Sequence, residues 1–210
     1  MGDRESFFGL LFGHGIFTQN GSEWKASRDL LRPQFMHTRS PNFDVIQEMT
    51  ECFLCNLRST SKSIHKDLDL EPFFFRFTFC TSSLVFFGAS LMKLSGRVVG
   101  AGVSDALTEA LDIFLSNGAL CRIKLLPCSI RFYKAKQEID DFIYRKISAA
   151  DTDSPNAEKE DRYVFLQALL DNTENKEAIR DTLMHTLLAG RDSTAILLSW
   201  TMYAPKMIRD

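Results

Sequence analysis

The chain has 210 residues, 45% of them hydrophobic and 25% charged, the make-up of an ordinary globular protein of one large or two small domains. Lys and Arg number 25 against 27 Asp and Glu, so a formal charge of −2 excludes a field built for nucleic acid or an acidic substrate. Five cysteines (Cys52, Cys55, Cys80, Cys121, Cys128) are odd in number and sit in apolar stretches, which predicts reduced core thiols rather than a disulfide framework.

The start, MGDRESFFGLLFG, has no basic segment followed by an apolar core, so no signal peptide is expected. Met1-Gly2-x-x-x-Ser6 fits the myristoylation pattern formally, but Asp3, Arg4 and Glu5 make it a chance match. Phe7–Phe17, punctuated by Gly9, Gly13 and Gly15, reads as loop. Asn20 with Glu23 three residues on reads as a capping box opening a short helix that Pro33 ends at Arg32. On it Trp24 and Arg28 share a face, an indole donor beside a guanidinium fork, suited to gripping a carboxylate or phosphate. An exposed basic helix with a packed Trp has the same pattern.

Ser40-Pro41 is a cap with proline at the first helical position, and Pro41–Arg58 carries Phe43, Ile46, Met49, Phe53 and Leu57 at helical spacing. Within it Cys52-Phe-Leu-Cys55 has the spacing of a metal or redox pair, but no second Cys or His pair accompanies it, so no metal site is expected. Ser59–Lys66 reads as a polar connection. Pro72–Phe87 is apolar nearly all round and reads as a buried helix. The uncharged run Phe77–Met92 contains five Ser or Thr and falls short of the roughly 20 residues that span a bilayer. Gly88–Gly102 reads as loop, Ser104–Asn117 as a helix with Leu107, Leu111 and Phe114 inward, and Gly118–Pro127 as irregular with Pro127 a break. Ile130–Ala150 is a long helix presenting Phe132, Ile139, Phe142, Ile143 and Ile147 on one side, Asp151–Asp161 an exposed loop, and Tyr163–Leu170 a short helix. No strand, repeat or phosphate-cradling glycine loop emerges.

Glu174–Tyr203 is the longest element, a helix of about 45 Å. Asp171, Asn172 and Thr173 are its cap candidates, and Pro205 is its expected stop. Ile179, Leu183, Leu187, Ala195, Leu198 and Trp200 form its apolar pattern, interrupted by Ala189-Gly190-Arg191-Asp192-Ser193-Thr194. Gly190 removes a side chain and opens a groove, Ser193 can turn its hydroxyl onto the Ala189 carbonyl, and Asp192 is a carboxyl next to that alcohol. A groove with an acid–alcohol pair suits a small ligand and proton delivery to it. A buried helix with one polar patch at a helix crossing fits these six residues equally.

Gly15-Ile16-Phe17 … Gly21-x-x-Trp24-x-x-x-Arg28-x-x-Leu31-Arg32-Pro33-x-Phe35, followed downstream by Ala189-Gly190-Arg191-Asp192-Ser193-Thr194, resembles the cytochrome P-450 family. The wording is most similar to its fungal branch of alkane and fatty-acid hydroxylases. The first motif looks like that family's C helix, Asp69–Gly88 like its E helix and the second motif like its I helix, in colinear order from Phe7 to Tyr203.

The resemblance implies an all-α, partial cytochrome P-450 fold over residues 1–203, and a haem cofactor. It implies that Trp24 and Arg28 hold a haem propionate. Ala189 and Gly190 would line the groove where dioxygen binds. Asp192 and Ser193, with Thr194 as fallback alcohol, would relay protons. The family more often has Thr at the position of Ser193; serine loses the β-branch that limits its rotamers. The implied activity is insertion of one oxygen atom of dioxygen into an apolar substrate, a long-chain alkane or fatty acid. The implied partner is a flavoprotein reductase, which Lys25 and Arg32 would help dock. The family's axial cysteine, its Glu-x-x-Arg pair, its membrane anchor and its N-terminal β-rich region find no counterpart here. Residues 204–210 look like a divergent tail. The expectation is therefore a middle segment, inactive alone, cytoplasmic where the intact family sits at the endoplasmic reticulum membrane. The alternative is a non-catalytic helical interaction protein or an unfolded relic. A hydrolase built on Ser193 has no supporting histidine, because His185 on the same helix reads as core.

Overall fold

The computed structural model describes residues 4–37, 43–63, 68–87, 101–117, 126–152 and 165–209. Every regular element among them is an α-helix: α1 (Arg4–Phe12), α2 (Gly21–His37), α3 (Phe43–Ser63), α4 (Glu71–Phe87), α5 (Ala101–Asn117), α6 (Pro127–Thr152), α7 (Phe165–Asn172) and α8 (Lys176–Arg209). The all-α expectation stands.

Several boundaries differ from the sequence reading, each for a local reason. The glycine-punctuated start is a helix and a turn rather than a loop. Gly13, at φ 72°, closes α1 in the left-handed conformation, and its N–H donates to the Gly9 carbonyl at 2.9 Å. Pro33 lies inside α2 and does not end it. Burial of Leu31 and Gln34 and the packing of Phe35 on Phe165, ring centroids 5.4 Å apart, hold the last turn despite the missing donor. Pro127 is the first residue of α6 rather than a break, the position where its lost N–H is harmless. The expected polar connection from Ser59 is still helical to Ser63.

α8 begins later and ends later than the pattern suggested. Its cap is Asn175, whose Oδ1 accepts from the N–H groups of Glu177 at 3.0 Å and Ala178 at 3.2 Å. The helix passes through Pro205 to Arg209. The Ser40-Pro41 start and most of the expected loops Gly88–Gly102, Gly118–Pro127 and Asp151–Asp161 lie outside the described residues.

The chain forms two compact units, Met1–Arg39 with Gly102–Thr186, and Ser40–Ala101 with Leu187–Asp210. The first is built on Leu107, Phe114, Phe132, Ile139, Ile143, Ile147, Phe165, Leu169, Ile179 and Leu183, none more than 1% exposed. Each such side chain contributes roughly 1.5–3 kcal/mol of burial. The long α6 face read from the sequence is all there: Phe132, Ile139, Phe142, Ile143 and Ile147 are buried. In the second unit α3 packs on α4 through Met49, Cys80, Leu84 and Phe77, with Phe53 between Phe74 (5.7 Å) and Phe77 (5.0 Å).

Candidate functional site

α2 carries the first candidate pair. Its exposed face presents Trp24, 40% exposed, and Arg28, whose guanidinium carbon lies 5.8 Å from the indole centroid. Lys25 and Arg32 are exposed on the same helix. One turn apart, an indole with its N–H donor and a five-donor guanidinium are exposed on one helix, an arrangement that suits a carboxylate.

The approach to α2 is unusually well fixed. The turn between α1 and α2 lies on the first turns of α8, in the same unit. Asp181 accepts from the His14 N–H at 2.7 Å through Oδ2 and from Arg180 Nη1 at 2.8 Å through Oδ1. Arg180 also donates to Asp140 of α6, from Nε at 2.7 Å and from Nη2, and to the Leu11 carbonyl at 3.3 Å. Both residues are about as buried as the core, Arg180 at 4% and Asp181 at 5% exposure. Burial alone would lower the Arg180 pKa, but Asp140 and Asp181 outweigh it and hold the guanidinium charged above its ordinary value. Within the turn, Thr18 Oγ1 donates to the Gly13 carbonyl at 2.9 Å and accepts from the Gly15 N–H at 2.9 Å. Gln19 Oε1 then accepts from Ser27 Oγ of α2.

The sequence reading missed this network. Its signal was an Arg180-Asp181 pair in the core-facing register between Ile179 and Leu183, a charge where an apolar residue belongs.

The second candidate group is the middle of α8. Gly190 does not open a groove there. A Cβ on it would stand 2.5 Å from Ser82 Oγ and 3.2 Å from Ser82 Cβ, so the space it vacates is filled by α4. Arg191 is 1% exposed, its guanidinium 4.4 Å from the Phe75 centroid and 2.6 Å from Asp192 Oδ1. Burial raises the Asp192 carboxyl above its ordinary range, against the opposing pull of Arg191. Ser193 Oγ donates to the Ala189 carbonyl at 2.7 Å, as its spacing suggested. The acid is thus engaged by a cation and the alcohol by its own backbone, rather than by each other. Ala189, Ser193 and Thr194 are exposed, and Ile196, Leu197 and Trp200 continue the outward side at 47%, 65% and 61% exposure.

His185 is fully buried and neither ring nitrogen has a hydrogen-bond partner among the described residues. It packs against Phe12 and Phe17, centroids 5.8 and 5.4 Å away, and burial lowers its pKa to about 4. That is the core histidine expected. The cysteines are less uniform than expected: Cys80 is buried, Cys52 and Cys128 half-buried and Cys55 exposed, none of these four in a disulfide; Cys121 lies outside the described residues. No cluster of metal-ligating side chains occurs among the described residues. No helix among them is long and apolar enough to cross a membrane.

The sequence matches the Cytochrome P450 family model over residues 4–210, and the chain belongs to that family. It is 34% identical over 198 residues to a cytochrome P450 of Arthroderma benhamiae, covering 90% of this chain and 39% of that protein. It is 31% identical to Cytochrome P450 52A9 of Candida maltosa, over 97% of this chain and 41% of the relative. With Cytochrome P450 52-E3 of Starmerella bombicola it shares 32% identity, over 95% and 40%. The chain thus spans about two fifths of these relatives. The fold matches the crystal structure of the cytochrome P450DA heme domain with a TM-score of 0.63 at 18% identity, over 95% of this chain and 44% of that one. The structure is therefore an all-α part of the cytochrome P450 fold.

Haem is that family's cofactor, with a cysteine thiolate on its iron. Within the first unit, Trp24 and Arg28 of α2 have the donors that one propionate needs. Cys80, the buried cysteine among the described residues, does not suit the thiolate: burial pushes it up to about 11, the opposite of what a ligand requires.

Proposed function

We propose that this chain is the C-to-I-helix part of a haem-thiolate monooxygenase that inserts one oxygen atom of dioxygen into an apolar substrate, a long-chain alkane or fatty acid. The observation that carries the reading is the family match along residues 4–210, with relatives of the 52 series at 31–32% identity. When bound, the haem supplies the activation of dioxygen. The chain's own residues bind, orient and move protons. Trp24 and Arg28 grip a propionate. Gly190 lets α8 settle against Ser82, which leaves Ala189 as the small residue on the outward side. Asp192, raised by burial, holds a proton more readily than a surface carboxylate. Ser193 passes one on when its hydroxyl turns away from Ala189, and Thr194 is the neighbouring alcohol.

Lys25 and Arg32 on the exposed side of α2 suit the acidic surface of a flavoprotein reductase, and the whole enzyme works at the endoplasmic reticulum membrane. The 210 residues alone do not catalyse the reaction, because none of their cysteines lies in a Phe- and Gly-rich loop. The test is to load the chain with haem, reduce it under carbon monoxide and record the spectrum. Haem uptake that Arg28→Ala weakens, without a thiolate-type Soret band, is the expected result. A thiolate-type band would contradict the inactivity, and no uptake at all would favour a non-catalytic helical protein.

A further inference from the structure

We propose that Asp181, with its buried cation Arg180, is a positioning residue for the carboxylate-gripping face of α2. The inference rests on the reading of Trp24 and Arg28 as propionate ligands and adds what aims them.

Asp181 ties the entry to α2 to the first turns of α8 through His14 N–H at 2.7 Å. The fit is close. A Cβ on Gly13 would stand 2.2 Å from Asp181 Oδ2, and one on Gly15 would stand 2.2 Å from His185 Cδ2. Only glycine at both positions lets the turn descend this far onto the helix. The carboxylate itself cannot swing, because Arg180 grips its other oxygen at 2.8 Å while anchored to Asp140.

From that fixed point a chain of bonds runs to the site. Gly13 and Gly15 are locked to Thr18, Gln19 N–H donates to the Gly15 carbonyl at 2.9 Å, and Gln19 receives the hydroxyl of Ser27. Ser27 is the residue before Arg28. A charged pair in a core costs more to desolvate than an apolar pair of the same size, so stability alone gives no reason for it here. Setting the angle and register at which α2 leaves the turn does, since a carboxylate ligand displaced by a fraction of a bond length loses its grip.

The test compares binding of protohaem with its dimethyl ester, whose two carboxylates are masked, by Soret absorbance titration of the full chain. The wild type is expected to prefer the free acid by about ten-fold, the size of one good charge-assisted contact. Asp181→Asn, and Ser27→Ala at the far end of the bond chain, are both expected to lose most of that preference while ester affinity stays put. Amide exchange at His14 is expected to accelerate in Asp181→Asn and not in Ser27→Ala. A merely structural role would lower affinity for acid and ester alike and leave their ratio intact, which would overturn the proposal. Should Asp181→Asn not fold, an unchanged ratio in Ser27→Ala would be equally fatal. If Arg28→Ala leaves the ratio unchanged, or the chain takes up no haem, the propionate reading itself is wrong and the proposal falls with it.

Discussion

The guanidinium of Arg191, almost wholly buried, sits 2.6 Å from the carboxylate of the next residue, Asp192. Two consecutive residues of one helix normally point about 100° apart, and Phe75 lies against the guanidinium that bridges this gap, its centroid 4.4 Å away. The acid proposed for proton delivery is paired with this buried guanidinium. Breaking the pair from the Arg191 side leaves a part-buried carboxylate without its counter-charge. Arg191→Gln is expected to destabilise the chain by about 3 kcal/mol in urea unfolding. The same variant is expected to raise the Asp192 pKa further, which an Asp192 carboxyl titration by NMR measures directly.

Gly190 is a packing glycine. Alanine there gains roughly 1 kcal/mol of helix propensity but drives a methyl to 2.5 Å from Ser82 Oγ. Overpacking of that kind typically costs about 1–3 kcal/mol, so a net loss of order 1 kcal/mol is expected for Gly190→Ala. Ser82→Ala in the same chain removes the nearest atom and is expected to restore most of it. A double-mutant cycle by urea denaturation gives the coupling.

Gly13→Ala carries two penalties at once. Its φ of 72° is strained for any residue with a Cβ, and that Cβ would meet all three carboxyl atoms of Asp181 within 2.3 Å. The expected loss is about 3 kcal/mol or more, beyond what a left-handed glycine replaced by alanine costs in open space. Gly21→Ala is the control, since φ there is 59° but nothing lies within 4 Å of the added carbon. Its loss is expected to be about 1 kcal/mol.

His185 makes stability depend on acid. Its folded pKa of about 4 lies below the ordinary value near 6.5, so between those limits the unfolded chain binds the extra proton. Stability is then fully present above about pH 6.5 and is lost as pH falls toward 4, by up to about 3 kcal/mol. His185→Leu removes the two unpaired nitrogens with the charge. Its unfolding free energy is expected to change by no more than about 1 kcal/mol at pH 7. Its slope between pH 6.5 and 4 is expected to flatten by the His185 share; an unchanged slope would mean that other groups carry the acid sensitivity.

The sequence by itself determined the helical class, the inward face of α6 and that of α8 as far as Leu187, the shared face of Trp24 and Arg28, and the turn of Ser193 onto Ala189. All of these follow from a period of 3.6 residues and from bonds within one turn, which the order of residues specifies locally. The same local rules misread Pro33 and Pro205 as helix ends and Pro127 as a break, because a missing donor is decisive only where packing or helix position does not compensate for it. Tertiary structure alone decided what fills the space beside Gly190, what packs on the Arg191 guanidinium and what Asp181 holds. Those depend on Ser82, Phe75 and His14, brought from distant parts of the chain against α8, and no spacing along the chain records which side chain will arrive at a buried charge or an empty glycine.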